Sequence, residues 1–140
     1  MPMPAASDRE ILAALFDAAL SAALPDGRFA GRLPEPPRGR TIVLGAGKGA
    51  AQMAAAFEKA WAEAGNGPLE GLVVTRYGHG MATQSIEVVE ASHPVPDAAG
   101  MQAAERILDL ARAAGPEDLV VFLMSGGASA LLALPAPGLT

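Results

Sequence analysis

The chain contains no cysteine. Disulfides, thiolate nucleophiles and cysteine-based metal sites are therefore excluded. Lysine is nearly absent as well: only Lys48 and Lys59 occur, and arginine carries most of the positive charge. Aromatic residues make up 4% of the chain. A core must then be built from small aliphatic side chains, which suits close packing of helices on a sheet. A formal net charge of −5 argues against general affinity for nucleic acid or anionic lipid, since both need clustered Lys and Arg. No apolar stretch reaches the ~18 residues of a membrane span. The first residues lack a basic n-region, and Asp8, Arg9, Glu10 and Asp17 interrupt the apolar positions, so they do not read as a targeting signal. The expected compartment is the cytoplasm.

What is present fits one α/β domain. A length of 140 residues, 51% of them hydrophobic, is enough to bury about two-thirds of the unfolded surface. Ser7 and Glu10 have capping-box spacing. Ile11, Leu12, Leu15, Phe16, Ala19, Leu20 and Ala23 follow at helical intervals. Pro25-Asp26-Gly27 ends that helix, and residues 25–40 read as a connecting loop. Four apolar runs predict strands: Thr41 to Leu44, Leu72 to Thr75, Ile86 to Ala91 and Leu119 to Met124. The last lacks alternation and is expected to be buried on both faces. Helices lie between them. One carries Met53, Phe57 and Trp61 as an inward stripe running to about Ala64. Another is capped by Asp97 and ends at Gly115-Pro116. Ala130 to Leu132 can start one more. Strands alternating with helices imply a Rossmann-like parallel sheet covered on both faces.

In open α/β sheets, ligands bind beyond the carboxyl ends of the strands. Four loops fall on that edge: Gly45 to Ala50, Arg76 to Gly80, Ser92 to Asp97, and Ser125 to Ser129. Two of them are glycine-rich and lead into helices, an arrangement that favours phosphate or carboxylate. Gly45-x-Gly47-x-x-Ala50 partly matches the dinucleotide fingerprint. Arg76 stands where that fingerprint has an acid, and it can accept a 2′-phosphate, so NADP remains open. The loop is no Walker A motif, because its glycine spacing is wrong and no Ser or Thr follows Lys48. A tight turn with a solvated lysine is the plainer alternative. In Ser125-Gly126-Gly127-Ala128-Ser129 the hydroxyls and amides can converge on one anion. Gly-x-Ser-x-Gly is absent, so this is not a nucleophile elbow. His79, between two glycines, is accessible. His93, ahead of Pro94, can orient its own loop. Either can donate to a ligand oxygen.

Read together and in order, the four loops resemble the N-terminal domain of the glycerate 2-kinase family, also known from its MOFRL C-terminal domain. The match rests on Gly45-Ala46-Gly47-Lys48 with Met53, Thr75-Arg76-Tyr77-Gly78-His79, Glu90-Ala91-Ser92-His93-Pro94-Val95-Pro96-Asp97 with Gly100, and Ser125-Gly126-Gly127-Ala128-Ser129-Ala130-Leu131-Leu132. It runs from Thr41 onward, and the leading helix fits. The resemblance implies transfer of the γ-phosphoryl of ATP, with Mg²⁺, to the 2-hydroxyl of D-glycerate, giving 2-phosphoglycerate. It implies a two-domain protein with its site in the cleft between domains. Residues 1–140 would be the N-terminal domain, with a leading helix and loop over 1–40 and the sheet over 41–140. The C-terminal domain would lie beyond, close the cleft and add catalytic groups, an arginine among them. Alone, the chain is expected to be inactive. Lys48 would be catalytic. Gly45, Gly47, Ser125, Gly126, Gly127 and Ser129 would bind phosphate or substrate, and His79 would be a further ligand contact. Metal ligands are not assigned. Arg76 and Ala128 depart from the frequent lysine and glycine of the family. Some family members are named hydroxypyruvate reductases, so an NADP-dependent reductase is the competing expectation, and a noncatalytic fragment the third.

Overall fold

The computed structural model describes residues 7–139. The elements run α1 (Asp8–Ala23), β1 (Thr41–Ala46), α2 (Ala50–Glu63), β2 (Leu69–Arg76), β3 (Ile86–Ala91), α3 (Ala98–Arg112), β4 (Leu119–Met124) and α4 (Ala128–Leu131). The four strands form one parallel sheet in the order β3-β2-β1-β4. The expected α/β class and parallel sheet are borne out.

Both faces of the central strands are covered, which is why they read as unbroken apolar runs. On one face α2 lays Ala50, Ala54, Phe57 and Trp61 against Val43, Val73, Ile86 and Leu123. The small residues let the helix approach, and the two rings stack with centroids 5.6 Å apart. Burial of a side chain such as Phe57 stabilises by about 1.5–3 kcal/mol. The Trp61 indole N–H donates to the Gly67 carbonyl at 2.9 Å, so its one polar group is satisfied. On the other face α3 and α4 bring Ala103, Ile107, Ala128 and Leu131 onto Ile42, Leu44, Leu72 and Val74. The α2 carboxylate of Glu58 accepts the backbone N–H groups of Gln84, Ser85 and Ile86, fixing where β3 begins.

Two expectations need correction. β4 is not buried on both faces. It is the edge of the sheet, and Val120, Phe122 and Met124 are 40–56% exposed. The reason is lateral: α3 and α4 pack over β2 and β3 and leave that side of β4 bare. α1 forms as read, with the Glu10 carboxylate accepting the Ser7 N–H at 2.7 Å and hydroxyl at 2.8 Å. Its apolar stripe nevertheless meets no core, and Leu12, Leu15 and Phe16 are each more than 60% exposed. β2 also starts at Leu69, three residues earlier than its apolar run suggests.

Candidate functional site at the carboxyl edge of the sheet

β1 lies between β2 and β4, so the chain leaves it toward one side and later returns on the other. That makes the β1–β4 boundary the switch point at which an open α/β sheet presents a ligand crevice. The loops after β1 and β4 meet there directly. The Lys48 N–H donates to the Gly126 carbonyl at 2.9 Å, and the Ser125 N–H to the Ala46 carbonyl at 3.0 Å. Gly47 has φ +130°, and a Cβ on it would run into the Ser125 hydroxyl and carbonyl. Only glycine allows both that conformation and that approach.

The interlock consumes donors. The Gly47 N–H goes to the Val74 carbonyl, Lys48 to Gly126, and Ala50 to Gly47. The Gly49 N–H goes to the Ser125 hydroxyl at 2.9 Å. Thus Ser125 acts as a tertiary cap for α2, whose own N-cap residue, Gly49, has no side chain to do it. The Ser125 proton remains able to reach a ligand oxygen. The expected amide cradle in the Gly45 loop therefore does not form: each N–H from Gly47 to Ala50 already has a protein partner. Gly45 itself lies within β1.

What the Gly45 loop offers instead is the Lys48 side chain. Lys48 is exposed, and the described ion pairs of the protein, made by Arg40, Lys59 and Arg106, do not include it. Gly127 has φ +91°. The position a Cβ would take on it lies 2.7 Å from His93 Nε2 and 3.3 Å from Lys48 Cε. Lys48, His93 and the Gly127 backbone thus converge on one point. His93 comes from the loop after β3. The Asp97 carboxylate holds that loop, accepting the Gly100 N–H at 3.0 Å and the Tyr77 hydroxyl at 2.8 Å. These bonds set the Asp97 carboxyl below its ordinary range, the Gly100 amide foremost, and the same contact raises the Tyr77 phenol. Arg76 closes β2 with its Nε buried and unpartnered.

Among the residues singled out by sequence, Gly47, Lys48, Ser125, Gly126 and Gly127 are brought together. Ser129 is exposed on α4. His79 sits on an exposed loop whose His79 and Gly80 amides donate to Glu90 Oε1. The imidazole against Gly127 belongs to His93. Sequence leaves both histidines open as donors to a ligand oxygen, and the packing of the β3 and β4 loops sets the His93 imidazole against Gly127. Among the described residues no three His, Asp or Glu side chains gather to hold a metal, and no helix is long and apolar enough to cross a membrane.

The family described as Domain of unknown function (DUF4147) matches residues 11–140. The chain belongs to that family. Among relatives of this DUF4147 chain, a protein named "Putative hydroxypyruvate reductase" from Agrobacterium vitis is 49% identical over 134 residues, 96% of this chain and 30% of the relative. The D-glycerate 2-kinase of Thermotoga maritima is 37% identical over 122 residues, 86% of this chain and 28% of the relative. The chain therefore spans less than a third of the length of either. In structure, the glycerate kinase of Thermotoga maritima superposes with a TM-score of 0.75 at 34% identity, over 89% of this chain and 30% of that one. A Pyrococcus horikoshii OT3 protein gives 0.79 at 32% identity, over 99% and 33%. The resemblance to the N-terminal domain of glycerate 2-kinases is borne out.

Proposed function

We propose that this DUF4147 chain supplies one face of an ATP-dependent kinase for D-glycerate, acting in the cytoplasm and producing 2-phosphoglycerate. In that reaction the 2-hydroxyl oxygen bonds to the γ-phosphorus. The bond from that phosphorus to the β–γ bridging oxygen breaks, its electron pair leaves with ADP, and the hydroxyl proton is released. Such transfer depends on positioning and on cationic stabilisation of the moving phosphoryl, with little covalent work for the protein. Lys48 is suited to cationic stabilisation, because it carries a compact ammonium on a long stem and is anchored by backbone bonds at both its N–H and its carbonyl. Gly126 and Gly127 adjoin Lys48 and the Ser125 hydroxyl lies beside Gly47 and Gly49; these groups would receive substrate or phosphate oxygens, with Ser129 and His79 as further contacts. Mg²⁺ would accompany the nucleotide. The described residues offer it no carboxylate cage, and Mg²⁺ in nucleotide sites relies on substrate phosphates with few protein ligands.

The competing reading is NADP-dependent reduction of hydroxypyruvate, which the name of the Agrobacterium relative suggests. One observation favours the kinase. A dinucleotide fold needs free amides at the first glycine turn for the pyrophosphate, and here the Gly47 to Ala50 amides are all engaged within the protein. The test is an assay of the full-length protein that carries this chain. Glycerate-dependent ADP release at ~1–1000 s⁻¹, without NADPH oxidation by hydroxypyruvate, is the expected result. NADPH oxidation without ADP release would replace the kinase by the reductase. The 140-residue chain by itself is expected to turn nothing over, because one face of a cleft does not exclude water.

A further inference from the structure

We infer that His93 is a ligand-binding residue of this site, donating a hydrogen bond from Nε2–H to an anionic oxygen held beside Lys48. This role rests on the proposed placement of Lys48 at the ligand. The geometry at Gly127 carries it. His93 Nε2 and Lys48 Cε lie 2.7 Å and 3.3 Å from the point where a Cβ on Gly127 would sit. A donor and a cation therefore flank a stretch of backbone that carries no side chain of its own. An imidazole can carry its proton on either nitrogen, and Nε2 is the nitrogen that lies against Gly127 beside the Lys48 stem.

Three further facts separate His93 from a histidine that merely braces its loop. The loop is already braced by Asp97, through Gly100 and Tyr77. The described side-chain hydrogen bonds and ion pairs that tie this edge together run through Ser125, Thr75, Tyr77, Glu90 and Asp97, and none uses the imidazole. The amides of the neighbouring Gly45 loop are spent, so recognition of an anion at this point falls to the backbone at Gly126 and Gly127 and to side chains. His93 is also half-buried, so its ring is positioned by packing, at less entropic cost than a free surface side chain.

A carboxylate of glycerate and a terminal phosphate of ATP share the chemistry His93 would recognise, and kinetics tell them apart. His93→Ala in the full-length protein is expected to raise KM for one of the two by about 10-fold to 100-fold, the range for losing a hydrogen bond to a charged group. The KM of the other substrate should change little. His93→Asn, which retains a donor, should recover part of the loss, and both variants should melt as the wild type does. A histidine that only braced its loop would lower stability and leave the ratio of the two KM values alone. A second measurement is independent of turnover. Side-chain ¹⁵N resonances, with His93→Asn as the assignment, are titrated separately with D-glycerate and with inorganic phosphate, and the His93 signal should move with at least one. Unchanged KM for both substrates in His93→Ala, or a His93 signal that stays still in both titrations, would overturn the inference. Absence of kinase turnover in the wild type with a moving His93 signal would instead remove the proposed reaction and leave the anion site standing.

Discussion

Removing the Ser125 hydroxyl tests the interlock on which the site is built. In Ser125→Ala the Gly49 N–H loses the acceptor now 2.9 Å away in a part-buried position. An amide donor left unsatisfied in the interior costs about 1–3 kcal/mol, and loss of a helix cap about 0.5–2 kcal/mol. Gly49 is half-buried, so water can recover part of the bond, and about 1 kcal/mol is the value expected. For a domain of this size that is a fall in melting temperature of about 3–4 °C. Opening at the Gly49 amide should become about 5-fold more frequent on the same scale. Thermal melts and hydrogen exchange at Gly49 provide the measurements. Wild-type melting and exchange in Ser125→Ala, together with loss of phosphate affinity, would refute this account. The hydroxyl would then serve a ligand and not the α2 terminus.

Lys48→Met keeps most of the stem and removes the ammonium. In the full-length protein it should lower kcat by about 10²-fold or more, the scale for losing one preorganised transition-state contact, with little change in melting temperature because the side chain is exposed; wild-type kcat in a folded variant would return Lys48 to the solvated surface. Gly127→Ala forces a Cβ into the left-handed region against His93 and Lys48, a backbone cost of about 1–2 kcal/mol, and should impair turnover more than it lowers stability, as kinetics and melts on one preparation would reveal. Asp118 is held at a pKa of about 2, down from 3.8, by the amides of Gly115 and Arg40 and then by the Arg40 guanidinium. The folded state thus binds this proton less readily than the unfolded chain. The stabilisation is complete above pH 3.8 and is lost as pH falls toward about 2. Denaturation of Asp118→Asn beside the wild type should show a gap that narrows across that interval, and a constant gap would contradict the assignment.

Much of the fold was legible in the residues, and the reasons are local. Alternation of apolar runs with helical stripes specifies βαβ units whatever surrounds them, and Asp97 does cap α3, as its spacing before Gly100 suggests. Gly47 and Gly127 were legible as special positions because glycine in a strand-to-helix turn usually signals positive φ or close approach. What failed was lateral information. An unbroken apolar run looks alike in a central strand and at an edge, so the bare side of β4 was invisible. The amphipathic stripe of α1 is legible in the sequence, but its exposure in the fold is not. The donor accounting at the Gly45 loop was hidden as well, because the partners of its amides lie in β2 and after β4, far along the chain. For the same reason the approach of His93 to Gly127 was hidden, although both histidines stood out in the sequence.

The clasp between the loops after β1 and β4 joins groups 76 residues apart in sequence. β2 can pair with β1 as soon as it is made, but the second wall of the crevice waits for the stretch after Met124. During synthesis the domain therefore passes through a long interval in which β1 has one neighbour, the Lys48 and Gly49 amides lack their acceptors, and α2 starts uncapped. Contacts this distant in sequence form against a large loop-closure entropy and tend to come late. Assembly of this edge is accordingly tied to completion of the sheet, and in a nascent chain the bonds from Lys48 to Gly126 and from Gly49 to Ser125 cannot close before β4 is in place.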